Sequence, residues 1–359
     1  MRSLRQSIAS EDNNYNLLRL IFAAAVIYYH SDLLSQNSGV YNPIGVFLGA
    51  RKTNLGEFSV ACFFFLSGIF VSQSYARDGK LINFTIRRAF RIFPGLMVCL
   101  LVTSLLGCVI SQGLQGLSLL TSYEYWEYVY LNTILKLKWN IAGVFEGRAS
   151  SAINGSIHTL PTEVKMYCYL GLAGFLVPLK KRLNGMLVST LFILFVYFRF
   201  DSFIRLIWMP DHAQILVFCF FGGVFVYAIS DKLYPAWWWL PLLALAILTT
   251  ADQAGVLVLY LASMLSLLAL GQLPGIWRPK SDLSYGIYIY GWPSQQILES
   301  YFHTSSVLVH SGLALAIATG FASLSWRWIE KPAIRMGRDL ISYLPKIRPP
   351  LAVFRKSVG

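Results

Sequence analysis

Three kinds of ionisable side chain stand in otherwise apolar sequence, and they define what chemistry the chain could do. His30 closes the stretch Leu17–Leu34, LLRLIFAAAVIYYHSDLL, which is long and apolar enough to cross a bilayer. Imidazole titrates near neutral pH and is the commonest general base, so a histidine here reads as a proton acceptor. A hydrogen bond to a neighbouring helix is the competing reading. Arg19 lies on the same helical face, three turns earlier, and an ionisable group inside a span marks a functional site.

Glu163 is the second group, in SIHTLPTEVKMYCYL. Counting rise along each span puts both His30 and Glu163 roughly 20 Å above the inner edge of a ~30 Å hydrocarbon core. A carboxylate facing the imidazole would fix its tautomer and stabilise the imidazolium. Pairing of Glu163 with Lys165 or an arginine is the alternative, although Lys165 is two residues away and points elsewhere on a helix. Arg88 and Arg91, in INFTIRRAFRIFPG, share a face at spacing i,i+3. With Arg19 at similar depth they would form a three-guanidinium site for phosphates. Lipid-phosphate contact, expected of Arg87, is the simpler reading on composition alone.

Other candidates are weaker. His158 at the entrance of the Glu163 helix is a second proton carrier or a polar cap. FFFLSGIF (63–70) puts Ser67 and Gly68 mid-span, where small residues let helices approach closely. DLSYGIYIYGWP (282–293) gathers Tyr285, Tyr288 and Tyr290 around a Gly and a Pro. SWRWIEKP (325–332) reads as a salt-bridged stop made of Arg327, Glu330 and Lys331. Asp32 is expected to be solvated, and His212, His303 and His310 to lie at surfaces or interfaces without partners. Cys62, Cys99, Cys108, Cys168 and Cys219 all sit in apolar runs without metal-ligand spacing, and read as packing residues.

The elements that must position these groups follow from composition. Of 359 residues, 56% are hydrophobic and 13% charged, about half the charge of a soluble domain. This describes an all-α, polytopic integral membrane protein without a cleavable signal peptide. Apolar runs predict about ten transmembrane helices, near 16–35, 57–76, 86–111, 157–179, 184–200, 213–230, 236–251, 254–271, 283–302 and 305–328. Cytoplasmic N- and C-termini place most Lys and Arg inside, which satisfies the positive-inside rule. That rule also accounts for the net charge of +13, so no nucleic-acid partner is expected. The long connection 112–156 falls outside. It holds the aromatic patch TSYEYWEYVYLN, an interfacial belt or a sugar platform, and Asn154-Gly-Ser156, formally a glycosylation sequon. Trp237–Trp239 read as an interfacial anchor. A single membrane domain is expected over 1–340, followed by a short basic tail, 341–359, the Pro-rich sequence from Ile329 onward forming no second folded domain.

Taken in order, LLRLIFAAAVIYYH, FFFLSGIFV, RRAFRIFPG, NGSIHTLPTEVKMY, DLSYGIYIYGWP and SWRWIEKP resemble the motifs of membrane acyltransferase family 3, the O-acetyltransferase-like proteins of surface polysaccharides. The resemblance implies ten core helices and transfer of an acetyl group from acetyl-CoA, as donor substrate, to a carbohydrate hydroxyl. No metal or prosthetic group is implied. His30 matches the family's essential histidine, Glu163 its motif glutamate, Arg19 its first-span arginine, and Arg88 and Arg91 the pair that handles the donor. His158, Tyr167, Tyr285 and Tyr288 become candidates for substrate binding. His158 stands where the family usually has Trp, and Gly291 where His is common, and both positions bear on the acceptor. The implied partners are acetyl-CoA, a lipid-linked or surface glycan and membrane lipids, at the bacterial cytoplasmic membrane. A proton-coupled transporter or flippase is the competing class. A noncatalytic scaffold is a third, and would not need a buried His30.

Overall fold

A computed structural model of the chain describes residues 2–10, 12–34, 53–179, 181–197, 214–242, 253–273, 277, 279, 281–302 and 306–344. Among these residues every regular element is helical. In chain order they are α1 (Leu4–Ala9), α2 (Tyr15–Leu34), α3 (Leu55–Ala76), α4 (Leu81–Gln112), α5 (Tyr123–Thr133), α6 (Leu160–Leu176), α7 (Arg182–Tyr197), α8 (Gln214–Ile229), α9 (Gln253–Leu270), α10 (Ser284–Tyr301), α11 (Val307–Ser325) and α12 (Lys331–Tyr343). Among the described residues four stretches are long and apolar enough to cross a membrane: Tyr15–Leu34, Leu55–Ala76, Leu81–Thr121 and Val307–Tyr343. Shorter apolar helices cover Arg182–Phe195, Gln214–Ile229 and Leu257–Leu270.

Apolar residues surround most of these helices rather than forming one stripe, so packing is set by where small residues let backbones meet. Gly68 of α3 and Gly223 of α8 make the tightest crossing. A Cβ on Gly68 would lie 2.0 Å from the Phe220 carbonyl oxygen, and one on Gly223 2.2 Å from that of Phe65. The expectation that Ser67-Gly68 serves close approach therefore holds. Gly286 does the same for α10 on α11, where a Cβ would meet Ala322 Cβ at 2.8 Å. Phe65, Phe220 and Phe221 fill the core around α3 and α8, while Leu96, Leu100 and Ile289 fill a second core between α4 and α10. α2 packs on both α3 and α10, and so lies where the two cores meet.

Several sequence expectations change. Arg87 does not face lipid: its guanidinium donates to Asp78 at 3.0 Å and to the Ser74 carbonyl at 2.9 Å, closing the α3–α4 turn. Burial works against ionisation of Asp78, yet hydrogen bonds from Arg87, Asn83 and the Lys80 amide outweigh it and hold the carboxyl well below its usual range. The segment after Ile329, read as a short basic tail, is helical to Tyr343, because Pro332 falls in the first turn of α12, where a missing N–H costs little. A π-helical turn, Trp326–Glu330, joins α11 to α12. Cys168 is exposed and the other four cysteines are buried. His310 is not a surface residue: it is fully buried, with Nε2 2.9 Å from Glu299 Oε1. The aromatic patch forms α5, which buries Tyr125 and Tyr128 and exposes Tyr123, Trp126 and Tyr130. His212, His303, most of the expected span 236–251, part of 184–200 and the tail from 345 lie outside the described residues.

Candidate functional site

A cavity of about 480 Å³ enters the bundle between α2, α3, α4, α6, α10 and α12. One end of the bundle is fixed by contacts between the end of α3, the start of α4 and the end of α6. Tyr75 packs edge-on to Phe84 at 5.3 Å, and Gly174 leaves room for the Tyr75 ring. The exposed Arg77 and Arg338 line the cavity at this end, and Phe63, Thr159, Glu163 and Tyr288 line it farther along the bundle.

The open end is built on two carboxylates. Arg19 of α2 donates to Asp282 at 2.7 Å, and Arg91 of α4 donates to the same oxygen at 2.8 Å. Arg91 also donates to Glu330 at 2.6 Å. Glu330 is 1% exposed, and the π turn carries it inward against α4. Gly95 makes the space, since a Cβ there would stand 3.2 Å from Glu330 Cγ and from Tyr285 Cε1. The expected local stop of Arg327, Glu330 and Lys331 is thus replaced by a pair spanning most of the chain. Burial opposes ionisation of Asp282, but Arg19 and Arg91 outweigh it, and the Ser284 hydroxyl donates to it at 2.7 Å. Its carboxyl stays well below the usual range. Tyr285 lies under the Arg91 guanidinium at 5.2 Å and donates to the Ile92 carbonyl at 2.8 Å, so it supports the arginine from below.

The structure brings Arg19, Arg88, Arg91, Glu163, Tyr167, Tyr285 and Tyr288 to one cavity. It does not bring Glu163 opposite His30. The Glu163 carboxylate accepts a short hydrogen bond from Tyr167, one turn along α6, and the same tyrosine hydroxyl meets Ser67 at 3.0 Å. Arg88 stands over the Tyr167 ring at 5.8 Å and reaches the Ser74 hydroxyl at 3.4 Å. Equal depth on two helices fixed height but not azimuth, so α6 turns its acid toward α3 and α4. The closed end is capped by the Thr159 and Tyr288 hydroxyls, 2.6 Å apart.

His30 sits beyond that cap, buried at 7% exposure. Its ring meets Trp292 edge-on at 4.9 Å, and Trp292 is one turn past Tyr288 on α10. The segment 152–158 holds this indole in place. Its N–H donates to the Ala152 carbonyl at 2.9 Å, and a Cβ on Gly155 would strike the ring at 2.7 Å. Asn154 is 1% exposed and donates to the Ile289 carbonyl at 2.9 Å, so the nominal sequon is a buried clamp. Gln295 donates to the Ile27 carbonyl at 2.7 Å and to Ser31 at 2.6 Å, locking α2 to α10 beside His30. The exposed His158, whose Nδ1 lies 2.9 Å from the Gly155 carbonyl oxygen, is within electrostatic reach of His30. Among the described residues His30 Nδ1 has no hydrogen-bond partner. A buried polar atom left so is costly unless something else engages it.

Asp282, Trp292, Asn154 and the long-range role of Glu330 were not separable on sequence, although each lies in a motif singled out for other residues. A family described as an acyltransferase domain matches residues 12–327. Nodulation protein 10 of Rhizobium leguminosarum bv. viciae is 26% identical, over 92% of this chain and 95% of its own. An O-acetyl transferase of Shigella phage Sf6 is 25% identical, over 89% of this chain and 96% of its own. No solved structure matches.

Proposed function

The chain belongs to this membrane acyltransferase family, and from that premise we propose that it transfers an acetyl group from acetyl-CoA to a hydroxyl of a surface glycan. O-acetyl transfer is the activity named for the phage relative, and the motif resemblance points the same way. The observation that carries the reading is the arginine-mouthed cavity running inward toward the layer beneath His30. A donor with an anionic head and a long neutral arm fits such a channel: the head stays among guanidinia while the arm reaches the bundle interior. The arginine end is assigned to the cytoplasmic side, and the His30 end to the outer side, of a bacterial inner membrane.

In this reading His30 takes the proton of the acceptor hydroxyl as its oxygen attacks the thioester carbonyl. The new C–O bond replaces the C–S bond, and the proton returns to the departing CoA thiolate. The exposed His158 and the buried His30 mark the side from which a sugar approaches. Thr159 and Tyr288 stand at the end of the donor channel, where a hydroxyl proton stabilises the developing oxyanion. Glu163, with Tyr167, supplies negative charge beneath the site rather than a direct bond to the imidazole.

Purified protein in detergent, given acetyl-CoA labelled in the acetyl group and a glycan extract, tests the assignment. Label should move to glycan with stoichiometric release of CoA. Transfer that survives His30→Ala, or CoA release without labelled glycan, would refute it.

A further inference from the structure

Six arginines line the open end of the cavity: Arg19, Arg77, Arg87, Arg88, Arg91 and Arg338. They are not equivalent. Arg87 is paired with Asp78, and Arg19 and Arg91 are paired with Asp282 and Glu330. Among the described residues no carboxylate lies within ion-pair distance of Arg77, Arg88 or Arg338. Arg88 keeps a buried Nε without a hydrogen-bond partner. A guanidinium already joined to a carboxylate offers an incoming anion little net charge, whereas an unpaired one offers all of it.

Arg338 comes from α12, beyond the residue 327 at which the family match ends. Its helix is nonetheless fixed to the mouth at two points. Glu330 ties its root to Arg91, and Gly337 lies so close to α4 that a Cβ would stand 3.0 Å from Phe90 Cβ and Cγ. Phe90 lies between Arg88 and Arg91 in sequence, so the contact sets Arg338 beside the same arginine turn. Arg88 is the deepest of the three unpaired cations, while Arg77 and Arg338 are exposed at the rim.

We infer that Arg77, Arg88 and Arg338 form the polyanion site at the mouth, with Arg338 reading the outermost phosphate of the donor's nucleotide head, while Arg19 and Arg91 only position the walls. The inference rests on the acetyl-CoA reading above. In CoA the phosphate farthest from the thioester is the ribose 3′-phosphate, so an exposed rim arginine on α12 is matched to that group. A lipid headgroup offers the same phosphate chemistry, and the test separates the two sources.

The measurement is calorimetric titration of the full-length protein, in a neutral detergent without added lipid, using CoA and dephospho-CoA as probes. Wild type is expected to bind CoA about tenfold or more tightly than dephospho-CoA, the effect of one charge-assisted bond. Arg338→Ala should weaken CoA by about the same factor and bring the two ligands within about twofold, with Arg338→Lys recovering part of the difference. Arg335→Ala, on the same helix but outside the cavity, should bind CoA as wild type does. Unchanged CoA affinity in Arg338→Ala would overturn the inference in favour of a lipid phosphate. An equal loss for both probes, or an equal loss in Arg335→Ala, would also overturn it. Wild-type protein that binds neither probe would remove the donor reading itself, a failure visible before any variant is made.

Discussion

The two ends of the site solve opposite problems. At the arginine end charge is abundant and is held by charge: Asp282 and Glu330 tie α2, α4, α10 and the π turn together through Arg19 and Arg91. At the histidine end, among the described residues, no ion pair holds His30, Trp292, Asn154 or Gln295. Trp292, Asn154 and Gln295 are fastened to backbone carbonyls, and the imidazole is placed by shape. The difference suits two kinds of ligand. An anionic donor needs cations whose number and spacing are fixed, and whose surplus charge it can neutralise. A neutral hydroxyl needs a proton acceptor at a set position in a site from which competing charge is kept away.

If that division holds, variants at the two ends should separate binding from turnover. The largest effect is expected at His30. Its replacement by Ala should lower acetyl transfer by about 10²–10⁴-fold while leaving CoA affinity within about twofold; a parallel loss of CoA binding would mean that the ends are not separable. Next comes Glu330→Ala, which strips a 1%-exposed carboxylate from Arg91 and should cost about 3–5 kcal/mol of stability. A fall in the detergent melting temperature checks it, and Glu330→Gln should fall less. Gly155→Ala drives a methyl into the Trp292 ring and should reduce kcat by about tenfold or more at unchanged donor KM. The stoichiometry of CoA binding distinguishes this from a folding defect: the variant should bind CoA at full stoichiometry while turning over slowly, whereas misfolding would lower binding and turnover in proportion.

The smallest effect is the pH dependence of Asp282. Its folded pKa is depressed, so its contribution is complete above the unfolded carboxylate value of about 3.9 and is lost as pH falls through the folded value. The stability gap between wild type and Asp282→Asn should therefore stay constant from pH 8 to about pH 5 and close only in stronger acid. A gap that already closes near pH 6 would show that Arg19 and Arg91 do not hold the carboxyl as described.

Sequence made the apolar helices and the small-residue crossing legible, because each depends on one segment. Depth along a span needs only the helical rise, and it gave a height for Glu163. Azimuth needs the neighbours, so the carboxylate expected beside His30 is held by Tyr167 instead. The same limit hid Asp282 and Glu330. Their partners are 191 and 239 residues from Arg91, and no local period reports such a pairing. Asn154, formally part of a sequon, is buried against α10, and only tertiary packing reveals that. The helix α12 was missed because Pro332 reads as a stop unless its place in the first turn is known.

The bond between Arg91 and Glu330 also sets a timetable for biogenesis. Arg91 enters the bilayer with the third long helix of the chain, yet Asp282 and Glu330 are synthesised only after nearly all the others. Until then Arg91 lacks both carboxylates that hold it in the folded chain, and an ionised group in a span without its partner is costly. A chain cut before Glu330 is accordingly expected to turn over faster in a pulse-chase than one cut after Tyr343, and equal half-lives would show that the last pairing is not what completes the fold.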